Sequence, residues 1–379
     1  MITSLSPLVY VRRNPGKTLP IAFVIVLAVT LVASIVTIVH SIDLTLFTLY
    51  GYNRYLTGIT PRNALVVNET ELVKIRNLPE LGHLYPSHSY QTMIKTIFGK
   101  MVFPIFGLDA PGRAEMLERC SIHLATGRMP VDGAPEAVIS DAVARNLGLK
   151  VGDILSRPES QDSFAPIPVR LVGLLHGPVW LGLTSKALVD RESPYNFVGY
   201  LAFAKTGGAT DQAKLAESID GVMNKSKGRV WKFAGLVLEA QSALSNLYLI
   251  MNIVIGIIVF AISFVCGLLF NIYFTQRMPE IAMLSAIGYS RSTLISRAAG
   301  ETIVLCLFGW ALGGVVTYVL LLGIREAFMT PRGLLLNPLD LQAFAFTAPV
   351  PIVITLFALC TIGLRLVTLD AVSIIERRA

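Results

Sequence analysis

Residues 276–291 read QRMPEIAMLSAIGYSR and form a short polar island between two long apolar runs, Leu247–Phe274 and Ile303–Gly323. Pro279 suits the first position of a helix, because a backbone N–H at that position would make no hydrogen bond within the helix and proline has none. Glu280 then lies in the first turn, on the favourable side of the helix dipole. The pattern predicts a helix that begins at Pro279, between two helices that cross a membrane.

An apolar stripe and a glycine complete this predicted helix. Ile281, Leu284 and Ile287 recur every three residues along one flank, so the segment can lay an apolar stripe into a groove. Gly288 suits a left-handed C-terminal cap, and Ser290 suits the N-cap of the helix that follows. A helix of about two to three turns is not stable alone in water. The island therefore needs a partner surface.

Composition indicates a membrane protein. The chain has 379 residues, 53% hydrophobic and 15% charged, with a mean hydropathy of +0.62, whereas soluble globular proteins carry about 25% charged residues. The formal net charge is +7, but the basic residues recur beside apolar runs, which favours anionic lipid over nucleic acid. The four cysteines, Cys120, Cys266, Cys306 and Cys360, form no CxxC or Cys/His metal pattern. We expect neither a nucleic-acid partner nor a metal site.

Four apolar runs predict four transmembrane helices, because about 20 apolar residues span a bilayer. The first, at 19–42, follows an amphipathic segment at 1–18; it has no A-x-A-like site before His40, so a retained anchor is favoured over a signal peptide. Pro349 and Pro351 predict a kink in the last helix. The other three helices are predicted at 244–275 (with a stalk), 298–325 and 343–366.

Basic residues set the orientation of these helices. The segments 1–18, 276–297 and 367–379 carry an excess of Arg and Lys, whereas the short loop 326–342 does not. Short loops with excess Lys and Arg stay in the cytoplasm. Both termini and the island are therefore predicted to be cytoplasmic, with residues 43–243 outside, in a multi-pass protein of the cell (inner or cytoplasmic) membrane.

Residues 43–243 form one large water-soluble region, which is long enough to form its own hydrophobic core. Gly148 is expected to end a helix capped by Asp141, and a helix is expected to run unbroken from about Glu239 into the second span. Strands are predicted at Asn63–Asn68, Tyr90–Ile97, Met101–Leu108, Ala137–Ser140, Val169–Leu175 and Val198–Ala204. The second and third of these are predicted to form a hairpin around Gly99-Lys100. Further helices are predicted at Glu69–Asn77 and Asp211–Lys225. The fold class is an α-helical membrane protein with four transmembrane helices and a large extracytoplasmic α+β domain inserted between the first and second.

Two regions resemble one permease family. The island is similar to the cytoplasmic coupling segment of ABC-transporter permeases of the MacB/FtsX/LolC–LolE family, with the pattern R-x-x-E-I-x-x-x-x-A-x-G-x-S/T-R. Residues 43–243 resemble the MacB-type extracytoplasmic domain and depart from it at Met129-Pro130, where the family often has an aromatic residue. The marks that match that domain are Gly127-Arg128, Val138-Ile139, Ala144, Leu147-Gly148, Val151-Gly152-Asp153 and Val172-Gly173.

The resemblance implies a permease subunit that transmits ATP-driven motion from a separate cytoplasmic ATPase to the extracytoplasmic domain. It implies export or efflux of a peptide, drug, lipid or lipoprotein, a second permease copy (identical or different), an extracytoplasmic adaptor in some members, and ATP with Mg²⁺ bound in the ATPase rather than in this chain. An FtsX-like signalling permease, which activates an extracytoplasmic enzyme or sensor without transport, is the alternative. The implied ATPase-coupling residues are Arg277, Glu280, Ile281, Leu284, Ala286, Gly288, Ser290 and Arg291.

No catalytic constellation is present in the sequence. There is no GxSxG motif, no P-loop and no HExxH pattern, so we expect this chain not to be an enzyme. Glu301, at the start of the third predicted span, is expected to form an ion pair with Arg297 one turn earlier. The histidines of the soluble region are expected to be structural or solvent-facing: His83, His88, His123 and His176.

Overall fold

A computed structural model describes residues 15–192 and 198–367. The described chain divides into two compact units. The helical unit comprises the residues up to His40, Asn246–Arg325 and those from Asn337 onward, and the sheet unit comprises Ser41–Ser245 and Glu326–Leu336. Most of the predicted N-terminal segment and nearly all of the predicted tail lie outside the described residues.

The helices and strands follow in chain order. The helices are α1 (Pro15–Leu49), α2 (Glu69–Arg76), α3 (Ala110–Arg119), α4 (Asp141–Leu147), α5 (Lys186–Glu192), α6 (Ala209–Val222), α7 (Phe233–Ala243), α8 (Ser245–Ala286), α9 (Arg291–Ile324), α10 (Leu341–Ala345) and α11 (Pro349–Val367). The strands are β1 (Thr57–Pro61), β2 (Leu81–Thr96), β3 (Gly99–Leu108), β4 (His123–Gly127), β5 (Glu136–Ser140), β6 (Ile154–Ser156), β7 (Ser163–Phe164), β8 (Val169–His176), β9 (Gly182–Ser185), β10 (Gly199–Ala204) and β11 (Gly228–Trp231).

The chain is a membrane protein with a large α/β region. Among the described residues, three helical stretches are long and apolar enough to cross a membrane: Thr18–Leu49, Ser245–Gln276 and Ser292–Arg332. A shorter apolar stretch, Leu341–Leu356, coincides with part of the fourth predicted span.

Two glycines allow α9 to pack closely on α1 inside the helical unit. A Cβ on Gly309 would lie 2.9 Å from Cβ of Ile25, and a Cβ on Gly313 would lie 2.8 Å from Cβ of Val29. Small residues one turn apart are the usual means by which membrane helices approach each other. Ile25 and Val29 are fully buried in the resulting core.

The predicted ion pair inside α9 is confirmed. Arg297 Nε donates to Glu301 Oε1 at 3.4 Å, one turn apart, and Glu301 is only 1% exposed. A buried carboxylate is tolerated only where a charged or polar partner offsets its lost hydration. The pair therefore belongs to the packing of the helical unit.

Three predictions about helix ends are wrong. Helix α8 continues through Pro279 instead of a new helix beginning there, and the helix before it is interrupted at Leu244. The last apolar run is not one kinked helix, because α11 starts at Pro349, the position where proline loses no helical hydrogen bond. In α8, the packing of Met278 and Leu284 against the helical core outweighs the local helix-breaking signal of the proline.

The sheet unit is built on one mixed sheet. Its strand order is β11-β1-β10-β2-β3-β9-β5-β8-β4, with β6 added to β8 and β7 to β2. The β3–β9 and β5–β8 pairs are parallel, and the other pairs are antiparallel. The predicted hairpin is present as β2–β3, but Thr96 pairs with Gly99, so the turn is Ile97-Phe98 rather than Gly99-Lys100.

Helix α6 covers one face at the β1–β10 end of the sheet. Its Leu215 and Ile219, which the sequence places on one flank, are fully buried against Ile59 and Ala202. Two further clusters fill the rest of the sheet unit. Phe103 is the largest fully buried side chain of one cluster, and Phe203 is the largest of the other.

Two local predictions for the sheet unit are corrected. Residues 63–68 are not a strand: Asn63 has a left-handed φ of +59°, and among the described residues the one β-bridge of this segment joins Val66 to Val198. The N-cap of α4 is Ser140, and Asp141 is the first helical residue. Gly148 ends α4 in the left-handed conformation, φ +71°, as predicted.

Candidate functional site

The island lies at the end of a long helix rather than on a separate short one. Helix α8 contains Gln276–Ala286, which are the final part of its 42 residues. A turn of four residues follows, and α9 begins at Arg291. The island is therefore continuous in backbone with the apolar span that precedes it.

One flank of this helix end packs on the helical unit and the opposite flank does not. Ala282 is fully buried, and Met278 and Leu284 pack against the core of the helical unit. Met283 is 63% exposed and Ile287 is 71% exposed. Because these two residues are four apart, they lie on the same side of a helix and form an outward apolar patch.

The turn after α8 is stabilised by its own backbone and by one side chain. Gly288 has φ +102°, and the N–H of Tyr289 donates to the carbonyl of Leu284 at 3.2 Å, the Schellman bond that a left-handed glycine permits. Ser290 Oγ accepts a hydrogen bond from the N–H of Thr293 at 3.3 Å and caps α9. The left-handed glycine and the serine cap are both as the sequence predicts.

The structure places the expected coupling residues on different sides of the segment. Glu280 is exposed on α8, and Ala286, Gly288 and Ser290 are exposed at its end. Leu284 is half-buried against the helical core, so the predicted stripe does not face outward as a whole. The side chains of Arg277, Ile281 and Arg291 lie outside the described part of the chain.

Sequence reasoning missed two exposed residues of this segment. Met283 lies one turn before Ile287, and Tyr289 is 39% exposed in the turn. Counting back four residues from Ile287, instead of three, would have found Met283, because the helix repeat lies between three and four. We name Met283, Ile287 and Tyr289 the island patch.

A second candidate site lies in the sheet unit around Glu115. Its carboxylate receives hydrogen bonds from the Tyr85 hydroxyl at 3.0 Å and from Arg119 Nη2 at 2.9 Å, and His83 Nδ1 lies 2.9 Å away. Burial by itself raises the pKa of Glu115, but the bonds from His83, Tyr85 and Arg119 outweigh it and lower that pKa. This carboxylate is a satisfied acceptor, so the cluster is structural.

The other histidines of the sheet unit each lie beside an acidic side chain or another imidazole ring. His88 is buried, which lowers its pKa despite Asp190 at 2.9 Å. His123 and His176 face each other across β4 and β8 with ring centroids 5.5 Å apart. Within residues 15–192 and 198–367, no group of three or more His, Cys, Asp or Glu is arranged to hold a metal.

The C-terminal part of the chain, which includes the island, matches a known family. Residues 252–373 match the FtsX-like permease C-terminal model. This FtsX-like region contains most of α8, the island, and helices α9 to α11. The resemblance that the island motif indicates is thereby confirmed for this region. A comparison with curated proteins finds no match.

Two solved structures resemble the chain over about half of its length. The periplasmic region of MacB from Actinobacillus actinomycetemcomitans shares 9% identity, covering 49% of this chain and 92% of that one, with a TM-score of 0.29. The extracellular domain of the ABC-type transporter YknZ from Gram-positive bacteria shares 14% identity, covering 47% and 100%, with a TM-score of 0.30. Scores this low carry no conclusion about the function of this chain.

Proposed function

We propose that this chain is the permease subunit of an ABC transporter, in which a separate cytoplasmic ATPase binds the island and moves α8. The family match of residues 252–373 supports a permease role. The observation that carries the mechanism is the continuity of α8, Ser245–Ala286, from an apolar span into the island. A force applied to the island therefore acts directly on a spanning helix.

The geometry of α8 suits a lever. Residues beyond Gln276, the end of its apolar stretch, extend the helix to Ala286, which adds about 15 Å at 1.5 Å per residue. Pro279 removes one backbone hydrogen bond, the one to the Thr275 carbonyl, so the softest point of the lever lies within the island. The remaining hydrogen bonds of the helix would carry a motion of the island across this point to the span.

The island patch supplies the surface for that partner. Exposed apolar side chains on the end of an otherwise polar segment mark a protein interaction site, and a helix that lays its apolar flank into a groove is a common mode of recognition. Met283 and Ile287 would enter the groove, while Glu280 lies beside them on the same flank. We propose that Arg277 and Arg291 contribute charged contacts with the ATPase at the edges of the groove.

The working unit would contain more than this chain. ATP and Mg²⁺ would be bound by the ATPase, and a second permease copy, identical or different, would complete the assembly, with an extracytoplasmic adaptor in an efflux system. We also propose that α10 and α11 form the fourth span, which the apolar stretch Leu341–Leu356 supports. The sheet unit would lie on the non-cytoplasmic side of the inner membrane. It would act in export or efflux of a peptide, drug, lipid or lipoprotein.

The test compares two equally exposed side chains. Ile287 is 71% exposed in the island, and Leu341 is 72% exposed at the start of α10. Ile287→Ser should reduce co-purification of the P-loop ATPase, identified by mass spectrometry, by roughly tenfold, the loss of one buried aliphatic side chain at an interface. Leu341→Ser should leave recovery unchanged. Equal recovery from both variants at equal expression would contradict the proposal.

The signalling alternative makes a different prediction about the same chain. If the permease activates an extracytoplasmic enzyme or sensor, Ile287→Ser should abolish that activation without any change in substrate accumulation. If it transports, the same variant should raise retention of the substrate in cells. Measuring both outputs in one strain separates the two functions.

A further inference from the structure

A pocket opens on the sheet face opposite α6. It has a volume of about 410 Å³, within the range of about 300–1,000 Å³ that small-molecule sites occupy. Its floor crosses β1, β10 and β2, where Gly58, Gly199 and Ser87 share one face and carry almost no side chain. The pocket exists because three neighbouring strands place small residues side by side.

Large apolar side chains form the walls of this pocket. Val102, Pro104 and Phe106 alternate along β3 and therefore point to the same face. Trp231 of β11 and Leu236 of α7 border the pocket as well. The Trp231 indole N–H donates to Thr60 Oγ1 at 2.8 Å, which holds the ring in place.

The polar groups of the pocket are all uncharged. They are hydroxyl and amide side chains, and none of the lining residues within the described chain is Asp, Glu, Lys, Arg or His. A charged ligand would lose its hydration without gaining a partner, which is strongly unfavourable. The polar side chains of the lining, apart from tyrosine and tryptophan, are Asn53, Thr60, Ser87, Ser89 and Gln91.

One of these polar groups is incompletely satisfied. Asn53 is 6% exposed and lines the pocket. Its side-chain nitrogen lies near the Tyr52 hydroxyl, yet no atom among the described residues accepts a hydrogen bond of good geometry from it. Buried donors without a partner are rare. The nitrogen exposes less than 1 Å², so a rotation of the Asn53 side chain toward the pocket would be needed to bring it within reach of an oxygen of a bound molecule.

We propose that this pocket binds an uncharged amphipathic small molecule, whose apolar body lies between Phe106 and Trp231 and whose carbonyl oxygen accepts a hydrogen bond from Asn53. Residues 50–53 directly follow α1, and residues 231–236 lie shortly before α8. An occupant therefore touches both segments by which the chain enters and leaves the main part of the sheet unit. The site is separate from the island and does not rest on ATPase binding.

The first experiment locates the site. The full chain in lipid nanodiscs is irradiated with the methyl ester of a diazirine-bearing fatty acid, without nucleotide, and the labelled peptides are mapped by mass spectrometry. We expect saturable labelling of residues 102–106, 199–201 and 231–236, reduced by unlabelled ester. Labelling confined to the spanning helices would show that the probe only partitions into the bilayer, and this result would overturn the proposal. The proposal would also fail if N-acetylglucosamine, rather than the unlabelled ester, reduced the labelling of these peptides.

Two valines of equal exposure provide the matched control. Val102 in the pocket is 42% exposed, and Val151, which does not line it, is 41% exposed. Val102→Trp should reduce labelling of the pocket peptides at least about fivefold by filling the volume, whereas Val151→Trp should leave it unchanged. Equal labelling of the two variants, each with the thermal stability of the parent chain, would exclude the pocket as the site.

A third variant tests the role of the amide. Asn53→Leu removes a donor that makes no good hydrogen bond in the folded chain, so the melting temperature should not fall. Labelling by the ester should nevertheless fall about three- to tenfold, the effect of one buried hydrogen bond. The corresponding free fatty acid, charged at neutral pH, should label the pocket of the parent chain less than the ester. Unchanged ester labelling of Asn53→Leu, or equal labelling by acid and ester, would contradict the assigned ligand chemistry.

Discussion

The side-chain nitrogen of Asn146 donates a hydrogen bond to the main-chain oxygen of Arg332 at 3.0 Å. Asn146 is 7% exposed, and its amide also pairs with both main-chain groups of Lys95, at 2.7 Å each. One buried side chain of α4 thus holds the end of β2 and the loop Glu326–Leu336. That loop belongs to the sheet unit although the chain on either side of it belongs to the helical unit.

Gly333 allows this loop to approach the backbone of α4. A Cβ at Gly333 would lie 2.1 Å from the carbonyl oxygen of Ala142, whereas a Cβ at Gly148 would meet nothing within 4 Å. Both glycines are left-handed, with φ of +62° and +71°. Gly148→Ala should therefore lower the free energy of unfolding by about 1 kcal/mol from backbone strain alone, and Gly333→Ala by at least about twice that amount.

Hydrogen exchange distinguishes a released loop from general destabilisation. In Gly333→Ala we expect faster exchange in residues 330–336 and at the amide of Lys95, which Asn146 now holds. In Gly148→Ala the same amides should keep their protection. Equal protection of the loop in both variants would show that the loop does not depend on this contact.

The stability of the sheet unit should depend on pH through Glu71. Its side chain is 3% exposed and accepts hydrogen bonds from the N–H of Asn224 at 3.1 Å and from Lys74 Nζ at 3.1 Å. The bond from Asn224, followed by that from Lys74, lowers the pKa of Glu71. A folded-state pKa below the unfolded value of about 4.3 contributes stability above that value, and the contribution is lost as pH falls through the folded pKa.

Glu71→Gln should accordingly destabilise the chain at neutral pH by roughly 1.5–3 kcal/mol, the range for hydrogen bonds to a charged group. The difference from the parent chain should shrink as pH falls below about 4. Glu69→Gln on the same helix is the control, because Glu69 is 67% exposed and its ion pair with Arg76 is on the surface. Melting curves between pH 3 and 7 (roughly spanning the unfolded pKa) measure both; a constant difference across that range would refute the assignment.

The coupling proposal predicts the effects of four substitutions at three positions of the island. Gly288→Val should strain the left-handed turn by roughly 1–2 kcal/mol, while Gly288→Asn should be better tolerated because asparagine adopts this conformation more readily. Glu280→Ala should abolish ATP turnover in membranes, and Arg291→Lys should reduce it partly, because lysine lacks the bidentate fork of arginine. Normal turnover in Gly288→Val, Glu280→Ala and Arg291→Lys at normal expression would remove the basis of the proposal.

The two substitutions of Glu301, in the buried ion pair of α9, should lower stability by different amounts. Glu301→Ala removes the carboxylate that pairs with the Arg297 guanidinium, which is only 22% exposed. Breaking a buried ion pair costs about 3–5 kcal/mol, so the free energy of unfolding should fall by about that amount. Glu301→Gln keeps an acceptor for the hydrogen bond and should cost less. Thermal unfolding in detergent ranks the two variants; the reverse order would show that the charge is not stabilised by Arg297.

Topology requires introduced cysteines, because the native one in the sheet unit is unsuitable. Cys120 is 1% exposed and burial raises its pKa to about 12, so a thiol reagent will not reach it. With Cys360 replaced by serine, Val131→Cys (56% exposed) should react with an impermeant reagent in intact cells. Met283→Cys (63% exposed) should react only after permeabilisation. The opposite pattern would invert the proposed orientation.

The amino-acid sequence by itself determined the features that depend on local chemistry. Apolar runs of sufficient length predict three stretches that the structure shows as candidate spans. Gly148 and Gly288 predict left-handed helix ends, and Ser290 predicts the cap of α9, because a missing Cβ or a short hydroxyl acts within one turn. These signals do not depend on residues distant in the chain.

Only the tertiary structure decided the features that depend on distant residues. Pro279 lies inside α8 because the packing of Met278 and Leu284 on other helices outweighs a single lost hydrogen bond. Met283 is exposed because the opposite flank is taken by that core. The pocket beside Asn53 and the contact of Asn146 with residue 332, 186 positions away, arise from strand order and loop placement, which local propensity cannot specify.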